Sequence, residues 1–296
     1  MTSFRTAGAA DGPALRALWR EVFPSATHVI PLYEQDPGRA DRTFLACEGD
    51  TPVAVVYWLP RPVRGLAGTV HRVGCVSSVA TLPRARGQGL VRHLLGLAAA
   101  SMTEADCAWS LLFTGTPRVY PDWTVFDRVH VRGTFAAPRP ARPGWTISSV
   151  GLGEWPLLAD LHTRHNANRP LTTVRTPGDW TGRVPVWYGD HQILLASHHD
   201  TPMAYAVVDW PAATITEIAV VSDEAGEALF EAVARHAAER NLTSGRLLSP
   251  PVPAVAALFA EWSTGHEQTG MARALRTDPA HLVAAPEAVH WTADYF

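Results

Sequence analysis

The sequence predicts an α/β (α+β) protein of two tandem domains on one plan, each a mixed, mostly antiparallel central sheet flanked by helices. Three observations carry that prediction. A helix, antiparallel strands and a strand–turn–helix–strand element follow one another over residues 1–137. A Pro-, Ala- and Arg-rich run at 138–144 then reads as a linker. The same order of elements recurs over 145–275, in a chain whose 296 residues suit two domains of ordinary size.

Each element has its own justification. Phe4-Arg5-Thr6-Ala7 reads as a first strand, and Asp11-Gly12-Pro13 as a cap with proline in the first helical turn. Leu15, Leu18, Trp19 and Val22 recur behind it at helical spacing. Thr43 to Cys47 and Val53 to Leu59 are apolar runs joined by Glu48-Gly49-Asp50-Thr51, a hairpin signal. His71 to Ala80 is a long strand and Trp109 to Thr114 a short buried one, after which Pro117 is positioned to open a helix. Asp127 to Phe135 supplies a further strand.

In the second half, Trp145 to Val150 is a strand and Glu154 to His165 a helix. Gln192 to Ser197 and Met203 to Val208 form a hairpin around His198-His199-Asp200-Thr201. Thr214 to Val221 leads into a helix with Leu229, Val233 and Ala237 on its inner face. Residues 276–296 form a C-terminal tail that packs as a last strand or frays.

Composition narrows the function classes. Hydrophobic residues make up 47% of the chain, ample for packed cores. The 25 basic residues are all arginine, and against 28 acidic ones they leave a net charge of −3. No basic stripe marks a nucleic-acid partner; the absence of lysine reflects a GC-rich coding genome rather than a functional choice. Cys47, Cys75 and Cys107 form no Cys-x-x-Cys pair, which predicts reduced, mostly buried thiols in a cytoplasmic protein. There is no signal pattern and no apolar stretch of the ~18 residues a membrane helix needs. His162 and His165 lie one helical turn apart and His198 and His199 are adjacent. Without a cysteine or carboxylate at matching spacing, and with adjacent strand histidines pointing to opposite faces, no metal site is expected.

The chemistry concentrates in Val79-Ala80-Thr81-Leu82-Pro83-Arg84-Ala85-Arg86-Gly87-Gln88-Gly89-Leu90-Val91. A strand breaks at Pro83 into an Arg- and Gly-rich turn, and a helix begins at once. Glycine lets backbone approach a ligand, and a helix start offers unpaired N–H groups and a positive dipole end to an anion. Arg84 and Arg86 add forked donors for phosphate oxygens. The turn lacks the Gly-Lys-Ser/Thr ending of a P-loop and the third glycine of a dinucleotide fingerprint. The plain alternative is an ordinary strand–turn–helix with two solvated arginines.

This run resembles the acetyl-CoA loop of the GNAT (GCN5-related N-acetyltransferase) superfamily, where a strand ending in Val-x-x-x-Pro enters Arg-Gly-x-Gly and a helix. Val91 replaces the last small residue of the pattern. Trp109 to Thr114 followed by Gly115-Thr116-Pro117-Arg118-Val119-Tyr120 is similar to the family's fifth strand and the helix behind it, which places Tyr120 beside the CoA sulfur. The resemblance is specific over 71–126 and architectural over 145–275. It extends to the enhanced-intracellular-survival acetyltransferases and to compact two-domain antibiotic N-acetyltransferases; the larger family's sterol-carrier-like third domain has no room here.

The resemblance implies acetyl-CoA as cosubstrate, bound by Val79, Ala80, Thr81, Arg84, Arg86, Gly87, Gln88, Gly89, Leu90 and Val91. Tyr120 would be the general acid for the thiolate, and strand N–H groups around Val79 to Thr81 would face the thioester carbonyl. In the survival-protein family the C-terminal carboxylate takes the amine proton, which points to Phe296. Glu34 and Asp36, in the loop after the first helix, could instead line the amine site. The second half has Ser222-Asp223-Glu224-Ala225-Gly226-Glu227 at the corresponding turn. Acidic side chains repel phosphate there by about 1 kcal/mol per pair at ~4 Å in water and about 4 near a protein surface, so no CoA is expected in that domain. The expected reaction is acetylation of a primary amine of a small molecule, an antibiotic or natural product being one candidate. A peptide or protein amine acceptor and a non-catalytic CoA-binding scaffold stay open, as does a homodimer, common in this superfamily.

Overall fold

A computed structural model describes residues 2–296. The first half runs β1 (Thr2–Thr6), α1 (Gly12–Val22), α2 (Val29–Glu34), β2 (Thr43–Glu48), β3 (Thr51–Arg64), β4 (Val70–Thr81), α3 (Leu90–Glu104), β5 (Trp109–Phe113) and β6 (Thr124–Phe135). The second runs β7 (Trp145–Val150), α4 (Trp155–Asn166), α5 (Val184–Tyr188), β8 (Gln192–His198), β9 (Thr201–Asp209), β10 (Thr214–Val220), α6 (Asp223–Glu239), β11 (Ser244–Leu247), α7 (Val255–Leu258), β12 (Phe259–Ala274) and α8 (Ala280–Val283).

Among the described residues the strands form a 12-stranded sheet in the order β1-β2-β3-β4-β5-β12-β6-β11-β10-β9-β8-β7. That order is a palindrome of the two halves with one exchange at its centre. β6 pairs with β11, and β12 pairs with β5. The two exchanged strands pair with each other from Phe259↔Phe135 to Ala272↔Thr124. Sheet neighbours therefore do not follow the contiguous halves 1–137 and 145–275. Core packing tells the same story: Met271 and Ala272 pack into the first half's core, while Val131 and Phe135 pack into the second's. Fully burying one such side chain is worth roughly 1.5–3 kcal/mol, so neither half has a complete core without the strand its partner lends.

Four local expectations need correction. Pro117 opens only a single 3₁₀ turn, Pro117–Val119; Pro121 follows Tyr120 and disfavours helical geometry there. The tail neither frays nor adds a strand. Trp291 and Asp294 are fully buried, and a short turn covers Thr292–Asp294. Asp11 does not cap α1; its carboxylate binds Arg5 and the Gly8 N–H at 2.7 Å. The rings of His198 and His199 lie 4.3 Å apart rather than on opposite faces, because His199 sits in the turn at φ +45°.

Residues 136–144 have no regular structure, yet Arg142 ties them to α6, binding Glu231 at 2.8 Å and Glu227 at 2.9 Å. The three cysteines are free and buried. No helix of the described residues is long and apolar enough to cross a membrane.

Candidate active site

The site begins where two parallel strands part. β4 and β5 pair only from Val73↔Trp109 to Cys75↔Leu111, and beyond that point they diverge. Here β4 also slips against β3: Ala80 faces Val55 and Ser77 faces Tyr57, so β4 carries an extra residue. Such a bulge re-aims the strand. Ser78 takes φ +54° in it, and the Trp19 indole N–H donates to the Ser78 carbonyl at 2.8 Å, clamping the bulge to α1.

From Thr81 the chain enters the Arg/Gly turn. Gly87 and Gly89 have φ of +78° and +73°, a region that favours glycine, and a Cβ at either would meet nothing within 4 Å. The N–H groups of Gly87 through Arg92 have no acceptor among the described residues, since the next one, of His93, already bonds back to the Gly89 carbonyl. This open, N–H-lined bowl forms one end of a cleft of about 830 Å³. Arg86 is held there by its Nε–H bond to the Thr81 carbonyl at 3.2 Å. The donors fit a pyrophosphate: empty space before a row of unpaired N–H groups, next to fixed guanidinium charge.

Tyr120 stands at the other end of that cleft and also lines a second cavity of about 400 Å³. Phe23, Val79 and Thr116 are shared by both, so the two spaces meet at the parting of the strands. Tyr120 is 8% exposed, and burial pushes its phenol up to about 12, eased slightly by Thr114. It keeps its proton through neutral pH.

The tail forms one wall of the second cavity. Val289 N–H donates to the Pro170 carbonyl at 3.0 Å, the Trp291 indole to Asn166 Oδ1 at 3.0 Å, and Ala293 N–H to the Tyr188 hydroxyl at 3.1 Å. Arg175 then binds Asp294 at 2.7 Å and Glu217 at 2.5 Å, with all three side chains buried. Burial alone would pull the Arg175 guanidinium down, but Asp294 and Glu217 carry it well above its ordinary range. Tyr188 and Tyr205 complete the set by donating to Glu217. A network satisfied on every side is rigid, and it delivers Tyr295 and Phe296 to the cavity wall opposite Tyr120.

The sequence-expected residues divide accordingly. Val79, Ala80, Thr81, Arg86, Gly87, Gln88, Gly89, Leu90, Val91 and Tyr120 all line the cleft, and Phe296 lines the adjoining cavity. Arg84 does not; it is exposed and turned toward Glu48 at 4.0 Å. Glu34 lies outside both spaces, paired with Arg16 at 3.1 Å on the surface. Asp36 is buried in the first core, accepting from Tyr57 Oη at 2.6 Å and from Arg42. It satisfies core donors and lines neither space. Two arginines on the cleft, Arg92 and Arg118, were not foreseen. Arg92 was legible, one helical position past Val91; Arg118 was hidden behind the expected helix at Pro117. Trp187, on the cavity wall, belongs to the other half and carried no local signal.

Of the histidines, His162 packs edge-on to Trp180 and His165 Nδ1 bonds the Val220 carbonyl at 3.0 Å. His162 is buried and His165 half-buried, and desolvation holds both below the ordinary histidine range, His165 at about 3. Among the described residues no group of three or more His, Cys, Asp or Glu could hold a metal ion.

Comparison with known proteins fits this geometry. Residues 3–122 match the family described as acetyltransferase (GNAT) domain. Over this stretch the chain is similar to GNAT acetyltransferase domains. Solved structures extend the likeness of fold across both halves. A probable N-acyltransferase from Enterococcus faecalis superposes with TM-score 0.77 at 15% identity, covering 93% of this chain and 73% of its own. A GCN5-related N-acetyltransferase from Anabaena variabilis gives 0.74 at 16% identity, covering 93% and 73%. Eis1 from Mycobacterium abscessus gives 0.68 at 14% identity, covering 93% and 74%. The fold of both halves is thus shared with all three. No curated protein matches the sequence.

Proposed function

We propose that this chain uses acetyl-CoA to acetylate a primary amine of a small molecule, at a single site in its GNAT domain. The observation that carries the reading is the meeting of two spaces at Tyr120: an N–H-lined glycine bowl on one side and an aromatic-walled cavity with hydroxyls on the other. The bowl would take the pyrophosphate and the gap between β4 and β5 the pantetheine arm. The amine would enter from the cavity. Its nitrogen attacks the thioester carbonyl, a C–N bond forms as the C–S bond breaks, Tyr120 gives its proton to the departing sulfur, and the surplus proton on the nitrogen leaves through water, from which the Tyr120 phenolate is reprotonated. Backbone N–H groups at the Ser78–Val79 bulge would steady the carbonyl oxygen. Phe296 takes part as a wall of the acceptor space, and its deletion is expected to slow transfer. The buried, unpaired cysteines suit a reducing cytoplasm.

The test is amine-dependent release of CoA, followed with a thiol reagent, in the wild type and in Tyr120→Phe. The reading requires turnover to fall by roughly 10²–10⁴ in Tyr120→Phe, the range for a lost general acid, while acetyl-CoA affinity holds. Unchanged turnover would remove Tyr120 from the mechanism.

A further inference from the structure

The sheet ends in two edges, β1 on one side and β7 on the other. An edge strand presents a row of unpaired N–H and C=O groups, and proteins guard it with charge, proline or a covering element. β1 carries such a guard: Arg5 stands in it, bound to Asp11 at 2.7 Å. β7 carries none. Its residues Trp145-Thr146-Ile147-Ser148-Ser149-Val150 include no charge, no proline and no glycine, and they are of types that suit strand pairing. Thr146, Ser148 and Ser149 are exposed, while Trp145 and Ile147 lean on the second core. The ladder fixes which backbone groups are free. β7 pairs with β8 from Trp145↔His198 to Val150↔Ile193, and one step before it the Gly144 carbonyl accepts from the His199 N–H at 3.1 Å. Hydrogen-bonded pairs alternate along an antiparallel ladder, so Thr146, Ser148 and Val150 bond to β8 and Trp145, Ile147 and Ser149 turn their backbone outward. The Trp145 N–H is spent on the Arg142 carbonyl at 3.2 Å, and the Gly151 carbonyl accepts from the Glu154 N–H at 3.1 Å. The Trp145 carbonyl, the Gly151 N–H and both groups of Ile147 and Ser149 meet no partner among the described residues.

From this edge we infer that the chain forms a two-fold dimer in which β7 pairs antiparallel with β7 of a second copy, joining the two sheets into one. A second copy is the partner because the edge is complementary to itself. A two-fold axis through Ser148, normal to the sheet, sets Ile147 of each copy opposite Ser149 of the other. Both residues then exchange both of their free groups. One step outward, the Trp145 carbonyl of each copy lies opposite the Gly151 N–H of the other. The two groups that would have no use in this register, the Trp145 N–H and the Gly151 carbonyl, are the two already spent within the chain. Every free backbone group of the edge is thereby paired. The side chains agree: Ser148 meets its own counterpart, Thr146 meets Val150, and nowhere does like charge oppose like charge. A single strand pair buries little area, so the dimer belongs to the weak, concentration-dependent class. It leaves the acetyl-CoA cleft open, since β7 lies at the edge of the sheet and the gap between β4 and β5 near its middle.

Sedimentation velocity of the full chain, from micromolar to near-millimolar concentration, should show a shift from the 32.1 kDa monomer to twice that mass. Ser149→Pro removes an outward N–H that no bond within the chain uses, a change an edge strand tolerates. It should weaken the dimer roughly 10–100-fold, as for one hydrogen bond lost per copy. Ser148→Lys, at an exposed position, sets two ammonium groups face to face and should weaken it as well. Thermal melts of both variants separate loss of pairing from loss of fold. Ser148→Cys tests the register. Residues opposed at a position without hydrogen bonds lie about 4.5 Å apart at Cα, within disulfide reach, so mild oxidation should give a covalent dimer on a non-reducing gel. Thr146→Cys, which faces Val150 of the other copy, should give far less, and the buried native cysteines none. A chain monomeric at every concentration would overturn the inference. So would a dimer indifferent to both Ser149→Pro and Ser148→Lys, or a cross-link as ready at Thr146 as at Ser148. Growth past the dimer would overturn it in favour of head-to-tail pairing of β7 with β1.

Discussion

The turn before α3 and the turn before α6 occupy equivalent places in two copies of one plan, yet they have opposite fates. Before α3, glycines at positive φ leave open space, and the N–H groups of Gly87 through Arg92 await an acceptor. Before α6, Ser222 caps the helix: its hydroxyl accepts from the Ala225 N–H at 3.2 Å, and its carbonyl accepts from Gly226 at 3.0 Å. A Cβ at Gly226, one turn into α6, would come 2.9 Å from Ala254, so the start of this helix packs closely on the segment before α7. The strands repeat the contrast. Ser77 stands two residues past Cys75, the last residue of β4 paired to β5, and it lines the open cavity. Glu217 stands two residues past Ile215, the last of β10 paired to β11, and it is locked to Arg175. Duplication thus left one half with a slot and the other with a buried ionic plug. The plug is not idle: it fixes the tail that walls the slot.

That contrast can be broken at several points. Gly89→Glu, which adds a side chain and a negative charge to the bowl, should abolish measurable acetyl-CoA binding, while Glu224→Arg in the first turn of α6 should create none because Ser222 already caps that helix start. Calorimetry on both variants checks this. Arg175→Met leaves Glu217 and Asp294 buried without their cation, and unfolding experiments should show a loss of about 3–5 kcal/mol. Exchanging both carboxylates for amides in the same variant should recover most of it. A smaller effect tests the neutral buried histidines. His290 is held at about 4 and His165 at about 3, chiefly by burial, against 6.5 when free. Below 6.5 the unfolded chain binds protons that the native state refuses, so stability is greatest above that pH and falls with acidification toward 4. Thermal melts across this window should shift downward, and His290→Gln should flatten part of the slope. The smallest effect expected is that of Arg84→Ala, which sits outside the cleft and should change acetyl-CoA affinity little, whereas Arg86→Ala should weaken it.

Much of this was legible because local signals and the fold agreed. The glycine turn announced itself by residue type, and the hairpins at Asp50-Thr51 and Asp200-Thr201 by repetition. What sequence order hid was the exchange of β6 and β12, since pairing between strands so far apart leaves no local trace. Glu34 and Asp36 looked like site carboxylates in a loop, but Tyr57 and Arg42 claim Asp36 from a neighbouring strand and turn, and Arg16 claims Glu34 from α1. Arg175, Glu217 and Asp294 come from three separate segments; each alone reads as a surface charge. Trp187 reaches the cavity only because the halves share one sheet.

The most direct test of one working site in two copies of a fold is the stoichiometry of acetyl-CoA binding to the intact chain by titration calorimetry. One site per chain, lost in Gly89→Glu and kept in Glu224→Arg, is the result predicted. Two sites per chain, or one that survives Gly89→Glu, would contradict it.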